Sequence, residues 1–137
     1  MNILQALDDP QVFAPLFRDP RTWAAWRSFL CALFGLPMDD DQRRIFTECT
    51  ARDEPQTAPS EEAWLVCGRR SGKSFTLALI AVFLSTFRDW RPFLGPGECA
   101  TVIAADRRQA RTITRYVKGL LKAVPMLAAT IESETAE

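Results

Sequence analysis

The stretch that most limits what this chain can fold into is residues 63–75, Ala-Trp-Leu-Val-Cys-Gly-Arg-Arg-Ser-Gly-Lys-Ser-Phe. A short apolar run at 64–66 leads into a glycine-containing loop that ends in Gly72-Lys73-Ser74. An apolar, helix-forming run then follows directly, from Phe75 to Phe87. This order predicts a strand, a loop and a helix, which is the context of a phosphate-binding P-loop.

The residue types in this loop suit contact with a polyphosphate. Gly72 allows the backbone to approach closely, so that successive N–H groups face the anion. Lys73 is a compact charge that reaches the β- and γ-phosphates, and Ser74 offers a hydroxyl to Mg²⁺. The strict pattern G-x-x-x-x-G-K-[ST] places its first glycine at Cys67, whereas this chain has Gly68. A chance Gly-Lys-Ser between two ordinary elements is the alternative, and the flanking strand and helix patterns disfavour it.

Residues 68–74, Gly-Arg-Arg-Ser-Gly-Lys-Ser, resemble the modified P-loop of phage terminase large subunits, the ATPases that drive DNA into viral capsids. That family often begins its loop with Gly-Arg-Arg, so the shifted glycine is itself a family feature. The resemblance implies that ATP and Mg²⁺ are the cofactors. It implies nucleotide contacts by every residue of the loop: Gly68, Arg69, Arg70, Ser71, Gly72, Lys73 and Ser74.

The same resemblance assigns roles within the loop. Lys73 would neutralise phosphate charge, and Arg69 or Arg70 would approach the γ-phosphate and sense hydrolysis. Ser74 would coordinate Mg²⁺. Upstream, Gln42 occupies the place from which terminases and many helicases contact the adenine edge. A glutamine on the surface of an amphipathic helix is the alternative interpretation of Gln42, and the sequence leaves both open.

An ATPase of this kind also needs a carboxylate on a later strand and a catalytic acid. Neither follows the loop in this sequence, so we expect both beyond residue 137 and expect the chain to be the front part of a longer DNA-packaging motor. Implied partners are double-stranded DNA, the portal and the small terminase subunit, with a homo-oligomer at full length in the host cytoplasm. A helicase-like nucleic-acid motor fragment and a non-catalytic nucleotide-binding remnant are the alternatives.

Composition excludes several other classes. The chain is 47% hydrophobic and 25% charged, as in ordinary soluble globular proteins. It contains no histidine, which excludes His-based acid–base catalysis and His metal sites within it. Its four cysteines form no CxxC pair and indicate reduced thiols in a cytosolic protein. The first residues lack a basic segment followed by an apolar one, so we expect no signal peptide, and the longest apolar run, near 75–84, is too short to cross a bilayer.

These patterns predict an α/β fold, with a partial P-loop parallel sheet, flanking helices and an all-helical N-terminal segment. The predicted division is 1–55 for the helical segment and 56–137 for the first half of an ATPase core. Strands at 62–67 and 98–105 should pair in parallel, with the helix after the loop as a right-handed crossover.

Helices are predicted on both sides of this core. Asp19-Pro20 starts one that ends near Gly35, and its Trp23 and Trp26 favour packing over base stacking. Residues 38–50 form a second, capped by one of three consecutive aspartates. Residues 107–124 form a third helix, which is amphipathic. Its cationic face is either a solvated surface or a contact for a phosphate backbone, and it consists of Arg107, Arg111, Arg115, Lys118 and Lys122. Asp106 is interpreted as its N-cap, in preference to a Walker B carboxylate.

Overall fold

The computed structural model of the chain describes residues 1–17, 19–90, 92–93, 95 and 107–131. The chain divides into two compact units, an N-terminal unit at Met1–Cys67 and a C-terminal unit at Gly68–Glu137. Each unit is built from helices in its described part, and each is taken by itself below.

The N-terminal unit starts with helix α1, Ile3–Asp8. Its first turn is closed by a capping box, in which the Gln5 N–H donates to Asn2 Oδ1 at 2.9 Å and the Asn2 N–H donates to Gln5 Oε1 at 2.8 Å. The box satisfies amides that a helix start otherwise leaves without acceptors. A 3₁₀ turn at Ala14–Leu16 follows, and the fully buried Phe13 packs into the core beside it.

An ion pair ties α1 to helix α2, which spans Ala24–Phe34 after a 3₁₀ turn at Pro20–Trp23. The Arg27 guanidinium donates to both carboxylate oxygens of Asp8, at 2.8 and 2.9 Å. This hydrogen bonding raises the pKa of Arg27 above its ordinary value. Two parallel N–H···O bonds fix both side chains, so the pair sets the orientation of α1 against α2 as well as contributing attraction.

The end of α2 is shaped by Gly35, which adopts a left-handed conformation with φ of 62°. The backbone of residues 55–60 crosses this end, where the Ser60 N–H donates to the Leu33 carbonyl at 2.9 Å. The crossing is so close that a Cβ on Gly35 would lie 2.4 Å from the Ala58 carbonyl carbon. Residues 55–60 are therefore held against α2 and supply partners for its last carbonyls.

Helix α3, Asp40–Thr50, completes the N-terminal unit. Its first turn has a second capping box, in which the Gln42 N–H donates to Asp39 Oδ1 at 2.8 Å and the Asp39 N–H donates to Gln42 Oε1 at 3.1 Å. Phe46 packs with Cys31 and Met38 in a small buried cluster. Burial raises the pKa of the Cys31 thiol, which keeps that side chain neutral inside the cluster.

The two tryptophans of this region lie in aromatic contacts. Trp23 meets Phe17 edge-on at a centroid distance of 4.8 Å, and Trp26 meets Phe29 edge-on at 5.9 Å. Both indoles are half-buried. These contacts are of the kind that stabilises protein interiors, in agreement with a packing role.

The described part of the C-terminal unit contains three helices, α4 at Lys73–Phe87, α5 at Arg107–Ala123 and α6 at Pro125–Ala128. Helix α4 has an apolar character over nearly its whole length and packs against α5. Phe75 on α4 meets Tyr116 on α5 edge-on, with ring centroids 5.8 Å apart. Among the residues of this unit that the structure describes, the buried side chains are Thr76, Ala78, Leu79, Val82, Phe83, Leu120, Val124 and Leu127.

The prediction of an α/β fold with a parallel sheet is wrong, because the described residues are helical and contain no strand. Residues 62–67, the first predicted strand, have an irregular backbone, with Trp64 90% exposed and Val66 103% exposed. The second predicted strand, 98–105, lies outside the described residues. A lone apolar run gains neither ladder hydrogen bonds nor a buried face, so β-propensity alone does not make 62–67 a strand.

The crossing at Gly35 gives a stability prediction. We expect Gly35→Ala to lower the free energy of unfolding by at least about 2 kcal/mol, because alanine is strained in the left-handed region and its methyl overlaps residues 55–60. Denaturant unfolding followed by circular dichroism measures the change.

Gly119→Ala is the matched control. Gly119 lies in the interior of α5, and a Cβ there would meet nothing within 4 Å. This variant should raise stability by up to about 1 kcal/mol through helix propensity. Equal effects of the two substitutions would contradict the close packing of residues 55–60 against α2.

Candidate phosphate-binding loop

The loop at residues 68–74, called the 68–74 loop below, ends in an abrupt turn into α4. Gly72 is the N-cap of that helix, with φ of 87° and ψ of 2°, and no side chain accepts a hydrogen bond as its cap. The Thr76 N–H donates to the Gly72 carbonyl at 2.9 Å, which is the first bond of the helix. The amides of Lys73 and Ser74 precede that bond and have no acceptor within the helix. They lie at the positive end of the helix dipole, where an anion is stabilised.

A second left-handed residue lies two positions before Gly72. Arg70 has φ of 60°, a conformation that costs a non-glycine residue about 1–2 kcal/mol. Alternation of left- and right-handed residues turns backbone N–H groups toward one side and forms a concave anion site. The strained arginine was not recognisable from the sequence, because Arg-Arg-Ser carries no turn signal. Strain of this kind is concentrated in segments where function sets the backbone.

Lys73 reaches back over the loop. Its Nζ donates to the Gly68 carbonyl at 3.4 Å, so the ammonium group lies beside the first residue of the loop although Lys73 starts the helix. The side chain is exposed. The 68–74 loop therefore has a cation at its start and helix amides at its end, both available to one extended anion.

Arg69 and Arg70 add to this positive charge. Both side chains are exposed, and neither they nor Lys73 form an ion pair with any residue that the structure describes. No acidic residue occurs between Glu62 and Asp89. Three cations without a nearby carboxylate in the sequence produce a local positive potential in a chain whose formal net charge is zero.

Two hydroxyl groups in the first turns of α4 make no hydrogen bond within the described part of the chain. Ser74 is half-buried, and its hydroxyl has no such partner. Thr76 is 1% exposed, and its Oγ1 is buried and unpaired. Ser71, in the loop itself, is also half-buried. Thr76 was not selected from the sequence, because a threonine in an apolar helical run resembles an ordinary core position.

The loop offers one ligand that fits a magnesium ion bound to phosphates, the hydroxyl of Ser74. The Ser74 hydroxyl is a hard oxygen ligand on the turn that follows Lys73, and Mg²⁺ bound to phosphates commonly takes only one or two protein ligands. Within the described ranges, no group of three or more His, Cys, Asp or Glu side chains is arranged to hold a metal ion. Ser74 would therefore supply the protein ligand, while phosphate and water oxygens complete the coordination.

Gln42 lies in the N-terminal unit, and its side chain already has structural partners. Its Oε1 accepts from the Asp39 N–H at 3.1 Å and lies 3.5 Å from the Cys31 sulfur. Its backbone carbonyl accepts from the Ser28 hydroxyl at 3.0 Å. Gln42 thus caps α3 and joins it to α2, while contact with adenine stays a prediction. Asp106, the predicted N-cap of α5, lies outside the described residues.

Compared with protein-family models, with curated proteins and with solved structures, the chain shows no match. In the part of the chain that the structure describes, no helix combines the length and the apolar character needed to span a membrane.

The capping role of Gln42 gives a prediction with a control inside the same unit. We expect Gln42→Ala to lower the free energy of unfolding by about 1 kcal/mol through loss of the capping box, while its effect on ATP affinity tests the adenine contact. Gln5→Ala removes the equivalent capping box of α1 and should behave alike. Unfolding and calorimetric ATP titrations on both variants measure the effects. A loss of ATP affinity in Gln42→Ala alone would instead support the adenine contact.

Proposed function

We propose that this chain is the ATP-binding N-terminal part of a phage terminase large subunit, and that its 68–74 loop holds the triphosphate of Mg-ATP. The observation that carries the proposal is the joint placement of the Lys73 ammonium beside Gly68 and of the uncapped α4 amides after Gly72. This arrangement supplies backbone donors and a point charge to one polyphosphate. The likeness of Gly-Arg-Arg-Ser-Gly-Lys-Ser to the terminase loop supports the specific family.

Each loop residue has a distinct role in this proposal. The amides of Lys73 and Ser74 donate to phosphate oxygens, and the Lys73 ammonium neutralises charge between them. Arg69 and Arg70 approach the terminal phosphate from the exposed side of the loop. The Ser74 hydroxyl binds Mg²⁺ when the metal accompanies the nucleotide. The partners proposed with this function are double-stranded DNA, the portal and the small terminase subunit, within a homo-oligomer.

Binding and hydrolysis are separate parts of the proposal. Phosphoryl transfer needs a carboxylate that fixes the metal and an acid that orients water, in addition to the loop. After the loop, Asp106 stands at the end of an apolar run, but Arg107 follows it where a second acid would be expected. The chain by itself is therefore proposed to bind Mg-ATP weakly without steady turnover.

Lys73→Ala tests the binding site. The substitution should weaken Mg-ATP binding at least about tenfold, because a charge-assisted contact contributes roughly 1.5–3 kcal/mol. Ser74→Ala should reduce the part of the affinity that depends on Mg²⁺ and have little effect in EDTA. Calorimetry or the anisotropy of a fluorescent ATP analogue measures both effects.

Arg52→Ala is the matched control for Lys73→Ala. It removes one exposed positive charge in the N-terminal unit, where the Arg52 side chain has no partner among the described residues. ATP affinity that is indifferent to Lys73→Ala, or equally reduced by Arg52→Ala, would refute the proposed site. Steady phosphate release that disappears in Lys73→Ala would show that a catalytic acid is present, with Asp106 the first to test.

A further inference from the structure

The neutral net charge of the chain conceals a separation of charge between its two units. Residues 1–67 contain six basic and eleven acidic side chains, whereas residues 68–137 contain eleven basic and six acidic ones. The N-terminal unit is therefore net negative and the C-terminal unit is net positive. Asymmetry of this kind indicates a surface for a polyanion on the positive half.

Most of the positive charge in the C-terminal unit lies on one helix. The 17 residues of α5 include six basic side chains and no acidic one. At 100° per residue, all six fall within an arc of about 100° on the helix surface and extend over about 22 Å of its length. We call this stripe the basic face of α5; it consists of Arg107, Arg108, Arg111, Arg115, Lys118 and Lys122.

The basic face is directed away from the core. The opposite side of α5 carries apolar residues, including Leu120 at 3% exposure, and packs against α4 and α6. On the basic face, all but the half-buried Lys118 are exposed. Arg107, Arg108, Arg115 and Lys118 form no ion pair with any residue that the structure describes.

The charges of the N-terminal unit are arranged differently. On α3, Arg44 pairs with Glu48 at 3.0 Å and with Asp41 at 3.6 Å, while Arg43 pairs with Glu54 at 3.3 Å. Those cations are locally neutralised by acids of the same unit. Helix α5 contains no acid of its own, and the charges of Arg107, Arg108, Arg115 and Lys118 are not paired with any described residue.

A glycine in this surface supports close approach by a partner. Gly119 adjoins the basic face, between Lys118 and Lys122, and lies in the interior of an exposed helix, where glycine costs about 1 kcal/mol relative to alanine. Among the described residues, no neighbouring atom requires its small size, since a Cβ there would meet nothing within 4 Å. Because position 119 has no side chain, the backbone of a partner molecule could lie close against the helix there.

We infer that the basic face of α5 binds the phosphate backbone of duplex nucleic acid without sequence preference. The basic side chains of this face are spaced about 4 Å apart along the helix axis. This is close to the spacing of about 3.4 Å between phosphates along one strand of a duplex. Insertion into a membrane is disfavoured, because the apolar side of α5 packs against α4 and α6, whereas an interfacial helix inserts that side into the lipid. The inference locates the DNA contact of the proposed packaging function, but it depends on the charge and exposure of α5 alone.

The test measures binding of the full chain to a labelled random-sequence duplex of about 20 base pairs, by fluorescence anisotropy over a salt series and without nucleotide. Each phosphate contact contributes about −0.9 to the slope of log affinity against log salt. Arg115→Ala combined with Lys118→Ala should weaken binding roughly tenfold and make the slope shallower by about 1.8. Arg21→Ala combined with Arg52→Ala removes the same charge from the N-terminal unit and should leave the slope unchanged.

Substitutions at Gly119 test, without altering charge, whether the duplex backbone lies close to α5 at this position. Gly119→Leu should weaken duplex binding, and Gly119→Ala should have a smaller effect. Circular dichroism confirms that both variants are folded.

An unchanged salt slope in the α5 double variant, or an equal change in the control pair, would overturn the inference. Preferential binding to poly-glutamate or to vesicles rich in phosphatidylserine, rather than to the duplex, would also overturn it. The duplex titrations contain no nucleotide, so they test the basic face of α5 even if the 68–74 loop does not bind ATP. The ATP titrations contain no duplex, so they test the loop even if α5 does not bind nucleic acid.

Discussion

The left-handed turn at Gly72 is the constraint on which the organisation of the C-terminal unit depends. It starts α4 directly after the 68–74 loop, and it leaves the first amides of the helix without a side-chain cap. The same start fixes the rotation of α4, which buries Thr76 and Leu79 in the core of the unit. A residue with a Cβ at position 72 would be strained at this φ. The turn at Gly72 therefore determines both how α4 packs and where its first amides lie.

Sequence reasoning succeeded where a local signal determines a local structure. The three consecutive aspartates predict the start of the helix at 38–50, and the structure uses the first of them, Asp39, as the N-cap. Gly35 ends α2 because only glycine readily accepts the left-handed conformation there, and the alternation of apolar and basic residues over 107–124 correctly indicates an amphipathic helix. In each case the evidence lies within a few turns of the residue concerned.

The prediction failed where the structure depends on a partner distant in the sequence. Trp64, Leu65 and Val66 have strand propensity, but a strand also requires a neighbour for its ladder bonds, and in the structure these side chains are exposed. The positive φ of Arg70 and the return of Lys73 to Gly68 were equally hidden, since both arise from the path of the loop as a whole. The types of the candidate site residues were therefore predictable, whereas the strain and the cation position within the loop were not.

The two anion-binding surfaces proposed for the C-terminal unit differ in physical character. The basic face of α5 acts through exposed side-chain charges, whose interactions are screened over about 8 Å at physiological ionic strength. The 68–74 loop adds backbone N–H groups, which act at hydrogen-bond distance and are less sensitive to salt. The surfaces share a structural connection, because α4 begins in the loop and its Phe75 packs edge-on against Tyr116 of α5. The packing of α4 against α5, with Phe75 edge-on to Tyr116, is therefore common to both proposed surfaces, and a substitution that disturbs this contact should affect the helix that carries each of them.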